Sequence, residues 1–217
     1  NALDEIVGRL NTETAGRFLF SGTATDRPPL ANTSTLLNAA RTALAGAATP
    51  GDMIAAANVW FDDPAGFEAA VYQGSDDALA PFSLSVGDAV SLDVRATDPE
   101  LRQMLKLTTL AALANDPAFA LNSTQKTELF IETGKEMLAA RDNIVNLAGR
   151  VGFAEARIAA ITARNAAEQT SLSFAKADLL SVDLFEAATR LEEVQFQLQS
   201  LYSVTARNAQ LSLVNFI

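Results

Sequence analysis

The side chains best suited to chemistry are two pairs of adjacent acids, Asp62-Asp63 and Asp76-Asp77. Carboxylates at such spacing can ligate a hard cation or share acid–base work. Each pair lies close to a Pro or Gly, in the setting of a solvated loop tip. The chain has no His and no Cys, so it lacks the commonest general base, the commonest transition-metal ligand and every thiolate reaction. No phosphate-binding glycine loop and no nucleophile–base pair occurs. Asn32-Thr33-Ser34 and Asn122-Ser123-Thr124 match the N-glycosylation pattern, a short motif expected by chance. No catalytic, cofactor-binding or metal residue is assigned, no cofactor is expected, and the chain is expected not to be an enzyme.

Composition narrows the classes further. The 217 residues are 49% hydrophobic and 19% charged, enough to build a core and unlike a disordered chain. A net charge of −10 opposes nucleic-acid binding, which needs a basic stripe. No apolar run is long enough to cross a membrane, and the first residues have neither the basic nor the apolar part of a secretory signal. The absence of an initiator Met suggests that an N-terminal piece has been removed.

Local patterning then gives the elements. Leu3, Ile6 and Leu10 mark a helix from Asn1 to about Thr14, and Gly16 is a plausible stop. Arg17–Thr23 reads as a strand-like run ended by Asp26-Arg27-Pro28-Pro29. Leu36, Leu37, Ala40 and Leu44 suggest a short helix, and Thr49-Pro50-Gly51-Asp52 is a capped start for Met53–Phe61. Phe67–Tyr72 reads as a strand. Phe82, Leu84 and Val86 alternate, Gly87-Asp88 turns, and Val90, Leu92 and Val94 alternate back, predicting a hairpin. Asp98-Pro99-Glu100 opens a helix that runs to Asn115-Asp116-Pro117.

Beyond Pro117 the chain carries no Pro. Met137, Ala140, Ile144, Leu147, Val151, Ala154, Ile158, Ile161, Asn165, Glu168 and Leu172 recur at spacings of three and four. Leu184, Ala187, Leu191, Val194, Leu198, Leu201 and Thr205 do the same. These are heptad seams of two long antiparallel helices, with Ser173–Val182 breaking the phase and Asp183 as N-cap of the second. Asn165 is either a register-setting polar residue or a wet position. Gly134, Gly149 and Gly152 each cost about 1 kcal/mol relative to Ala in a helix, and they permit close backbone approach by the N-terminal helix or by a neighbouring molecule.

The expected fold is α+β and mainly α: an elongated helical stalk made from both chain ends, with an inserted mixed α/β module containing the hairpin. The domains are residues 1–23 (stalk helix and strand-like run), 24–118 (tip module) and 119–217 (two long stalk helices). Three helices should pack side by side through Leu3, Ile6, Leu10, Ile144, Val151, Ile158, Leu191, Val194 and Leu198. Phe18 and Phe20 should be buried, pinning their run to the first long helix.

Particular stretches resemble a known family. Gly16-Arg17-Phe18-Leu19-Phe20-Ser21-Gly22-Thr23 resembles the G-R-Y-L-F-S-G-T stretch of hook–filament junction proteins in the flagellin superfamily. Asp183–Leu191 is similar to their D-x-x-E-A-A-T-x-L helix start. Leu201–Arg207 and Leu211–Ile217 are similar to their Y-x-V-T-A-R and L-S-L-L-N-Y-L endings, and Arg150-Val151-Gly152 is a weaker echo of L-G-x-R. The resemblance covers both stalk portions. It implies a structural protein of the bacterial flagellum that forms a homo-oligomeric ring between hook-associated protein and flagellin. Its partners would be flagellin and other hook-associated proteins, with an export chaperone as a further candidate, and with no nucleic acid and no membrane insertion. The chain would be extracellular, leaving through the flagellar export apparatus without a cleaved signal. The family's N-terminal segment begins well before Asn1, so part of the inner domain is expected to be missing. Tyr202, Leu211, Leu213, Phe216 and Ile217, which lack an obvious partner in the chain, are the candidate subunit interface. The competing readings are a flagellin filament subunit, a carboxylate-dependent hydrolase or glycan-binding module in the tip, and a generic coiled-coil binding module.

Overall fold

The computed structural model describes residues 2–85, 87–181 and 184–214, with backbone alone for residues 184 and 211–214. The fold is α+β and mainly helical. Helix α1 (Ala2–Leu10) is followed by strands β1 (Glu13–Thr14) and β2 (Arg17–Phe18), helices α2 (Thr33–Ala43), α3 (Pro50–Asp62) and α4 (Ala69–Val71), strands β3 (Phe82–Ser85) and β4 (Asp88–Val90), and helices α5 (Pro99–Leu113), α6 (Ser123–Leu180) and α7 (Leu184–Val214). The two strand pairs are separate antiparallel hairpins. The chain divides into two units, residues 1–162 and 163–217.

Helix starts in the first unit follow from side-chain caps. Asn32 accepts from the Thr35 amide at 2.9 Å to start α2. Thr49 and Asp52 close a reciprocal capping box at the start of α3, with Pro50 in the first turn. Asn122 and Gln125 exchange side chain-to-amide bonds of 2.9 and 3.0 Å at the start of α6. Both asparagines of the glycosylation-like patterns are therefore occupied as helix caps.

The main core collects Leu3, Leu36, Met53, Phe61, Phe67, Leu105, Leu110 and Leu129, all essentially inaccessible. Met53, Ala57 and Phe61 recur every four residues, so α3 turns one face inward. Lys106 is buried among α3, α5 and α6, where its ammonium donates to Asn58 Oδ1 at 2.5 Å and stands 4.0 Å from Glu136. Arg41 Nη2 reaches Asp116 at 2.5 Å and holds its carboxyl below the ordinary carboxylate range.

Several expectations need correction. Residues 67–72 form no strand: a π-helical turn (Pro64–Glu68), broken at Gly66, leads into α4. That turn inserts Phe67 beside Phe61, with stacked rings 4.9 Å apart, and only Tyr72 at the segment's end makes an antiparallel bridge, to Leu30. α1 ends at Leu10, because residues 13–18 fold back as a hairpin around Ala15 and Gly16 at φ of 51° and 77°. α1 packs on α5 and α2, inside the main core. The strand-like run is extended only at Arg17–Phe18, and Phe18 and Phe20 are half-buried. Phe20 packs on the main core, and its carbonyl accepts from the Ala96 amide at 3.0 Å, so this bond ties it to the segment before α5.

The second hairpin forms where expected, pairing Phe82 with Val90 and Ser83 with Ala89, but its strands stop short of Leu92 and Val94. Val86 lies outside the described residues. Its apolar face is real: Val90, Leu84 and Leu92 pack against Ala154, Ile158 and Ile161 of α6. Alternation alone indicated the apolar face, but not the helix that it covers.

Candidate assembly surface

The acids come first, because they decide whether a chemical site exists. Asp62 pairs with Arg102 at 3.6 Å, and Asp63 accepts from the Ala65 amide at 2.9 Å in the turn that follows α3. The Asp76 carbonyl accepts from Arg95, and the Asp77 amide donates to Ser75 Oγ at 3.2 Å. Burial and the neighbouring Asp76 carboxyl push Glu68 up. These contacts build loops. Among the described residues no group of three or more His, Cys, Asp or Glu could hold a metal ion.

The same loop is clasped to the Ser21-Gly22-Thr23 turn. The Ser75 amide donates to Ser21 O at 2.9 Å, the Thr23 amide to Asp77 O at 3.1 Å, and Thr23 Oγ1 to Ser75 Oγ at 2.9 Å. Tyr72 Oη donates to Ser75 O at 2.9 Å, and burial pushes its pKa up to about 12. Gly22 makes the close approach possible: at φ of +60° a Cβ there would collide with Ser75 O. The motif that carried the family resemblance is thus a backbone clasp.

The surface able to act on a partner lies on the long helices. The α6 seam begins covered, with Ala140, Leu147, Ala154 and Ile161 buried and Ile144, Val151, Ile158 and Asn165 half-buried. It then runs bare. Every residue from Ala166 to Ser181 is exposed, as is every residue of α7 from Phe185 to Gln210. Leu172, Phe174 and Phe185 are exposed by 70, 73 and 82%. Leu191, Val194 and Leu198, expected inside a three-helix seam, are exposed by 59, 51 and 49%. The expected phase break at Ser173–Val182 is absent up to Leu180, where α6 ends, and Asp183 lies outside the described residues. Helix propensity carries α6 through this stretch.

The contrast has a physical meaning. Apolar residues at spacings of three and four on a helix are a packing seam. Burying one such Leu or Val contributes about 1.5–3 kcal/mol, a gain not realised on α7 within the single chain. Apolar surface this extensive on a water-facing helix marks an interaction face. Of the candidate interface residues, Tyr202 is 72% exposed on α7. Leu211 and Leu213 fall in the last turn of α7, and Phe216 and Ile217 lie outside the described residues. Phe174, Phe185 and Phe196 were not singled out from the sequence, because they stand off the heptad seam.

Among the described residues no helix is long and apolar enough to cross a membrane. Residues 136–217 match the bacterial flagellin C-terminal helical region. The matched stretch, less than half of the chain, contains the bare surfaces of α6 and α7. It supports the flagellin superfamily, which is structural and not enzymatic and forms part of the extracellular flagellum. No curated protein and no solved structure matches the chain.

Proposed function

We propose that this chain is a structural component of the bacterial flagellum at the hook–filament junction, where copies assemble into a ring joining hook-associated protein to the flagellin filament. The observation that carries this reading is the coincidence of the flagellin-type match with two helices whose apolar seams lie open to water. A seam of that kind is satisfied by other chains, and a ring supplies them. The junction role, as distinct from the filament role, draws support from the Gly16–Thr23 motif and the Leu211–Ile217 ending. Tyr202, Leu211, Leu213, Phe216 and Ile217 form the subunit interface in this reading. The long helices of residues 119–217 supply the stalk in this reading. Flagellin and the hook-associated proteins are the partners, reached through the flagellar export apparatus without a cleaved signal and with an export chaperone as escort.

A deletion strain tests it. Loss of a junction protein leaves hooks without filaments and flagellin monomers in the culture medium. Loss of a filament subunit leaves no such monomers, and its copy number per filament is in the thousands instead of one or two helical turns. Unassembled flagellin in the medium is the expected result; intact filaments would overturn the proposal.

A further inference from the structure

The middle of α6 crosses between two separate hydrophobic clusters. On its N-terminal side Leu129 belongs to the main core, Glu136 stands near Lys106, and Arg150 Nη2 donates to Glu100 of α5 at 3.0 Å. On its C-terminal side Ala154, Ile158 and Ile161 hold the second hairpin, and Arg157 stands 4.0 Å from Asp88. Gly149 and Gly152 sit at the junction, both exposed. A Cβ added at either position would meet nothing within 4 Å. Their lack of a side chain therefore answers no packing need inside the chain, unlike Gly22.

We infer that Gly149 and Gly152 form a bending point in α6, letting the hairpin and the helix beneath it tilt against the main core. A helix held on both sides by packed side chains yields where its backbone is least restrained, and Gly is the residue that restrains it least. Each glycine raises the local opening equilibrium about fivefold over Ala, so the pair contributes about 25-fold in the short stretch between buried Leu147 and buried Ala154. Gly134 shares the open surroundings but lies 20 residues before Ala154, the first α6 residue of the second cluster, so it is away from the junction.

The chain has no Cys, so spin labels can be placed singly. Leu138→Cys and Ala160→Cys put labels on exposed sites flanking the pair, 22 residues and about 33 Å apart along a straight helix. Pulsed dipolar spectroscopy on the full chain should give a broad distance distribution with a tail below that span. The Gly149→Ala/Gly152→Ala variant should narrow it to one peak, and amide exchange over residues 148–153 should slow about 25-fold. Gly134→Ala gains the same helix propensity away from the junction and should leave the distribution unchanged. Equal widths in the parent and the double variant would overturn the inference. So would a double variant with unchanged distances and impaired self-association, which would make the glycines a docking face instead.

Discussion

Replacing Gly22 by Ala tests how the motif of residues 16–23 works. Gly22 sits at φ of +60°, where an L-residue with a side chain costs about 1–2 kcal/mol. Its new methyl would overlap Ser75 O and lie 2.8 Å from Asp77 O, both backbone atoms that move only with the loop. Shifting that loop breaks one or two of the bonds from the Ser75 amide, the Thr23 amide and Tyr72 Oη, each contributing about 1 kcal/mol net. The expected loss is about 3 kcal/mol. Gly16→Ala is the control: φ is +77°, but the nearest atom to its Cβ is Glu13 Oε1 at 4.0 Å, so only the backbone cost of about 1–2 kcal/mol applies. Urea unfolding followed by the single tryptophan, Trp60, reads the main core directly, because Trp60 packs there. Equal losses in the two variants would refute the clasp as the reason for Gly22.

Two further outcomes are expected. The raised Tyr72 pKa favours the protonated phenol in the folded state; its stabilising contribution is complete below the ordinary value of about 10 and is lost as pH rises through about 12. Tyr72→Phe should flatten the part of the alkaline unfolding curve that lies in this window, and an unchanged curve would count against it. In the dilute chain, amides of residues 185–210 should exchange far faster than those of α5, since a helix whose residues are all exposed gains little from packing; slow exchange along α7 in a proven monomer would exclude assembly as the source of its order.

What the sequence made legible is what local chemistry dictates. The capping box at Thr49-Asp52, the helix start at Asp98-Pro99, the Gly87 turn and the two long helical patterns are decided within a few residues, and the structure has them. Only the end of Phe67–Tyr72 behaves as the sequence suggested: Tyr72 bridges antiparallel to Leu30, whereas Phe67 finds its burial against Phe61 in a helical turn. α1 carried the right apolar stripe, but a stripe does not name its partner, and Leu3, Val7 and Leu10 chose α5 and α2.

The long seams were legible as seams, and the sequence could not say where cover ends. Up to Ile161 the inward positions are filled, on the hairpin side by Val90, Leu84 and Leu92; from Ala166 onward the same periodicity faces water. A single pattern is thus core along one part of the helix and exposed along the next. Periodicity records that a partner helix or sheet is required and is silent on which chain provides it. That silence is itself informative here. The three-and-four spacing continues through Leu172 of α6 and along α7, whose residues from Phe185 to Gln210 are exposed, and that is the pattern the proposed assembly requires. In the proposed assembly the interface extends beyond Tyr202 and the C-terminal residues to Leu172, Leu191, Val194 and Leu198, all exposed in the single chain.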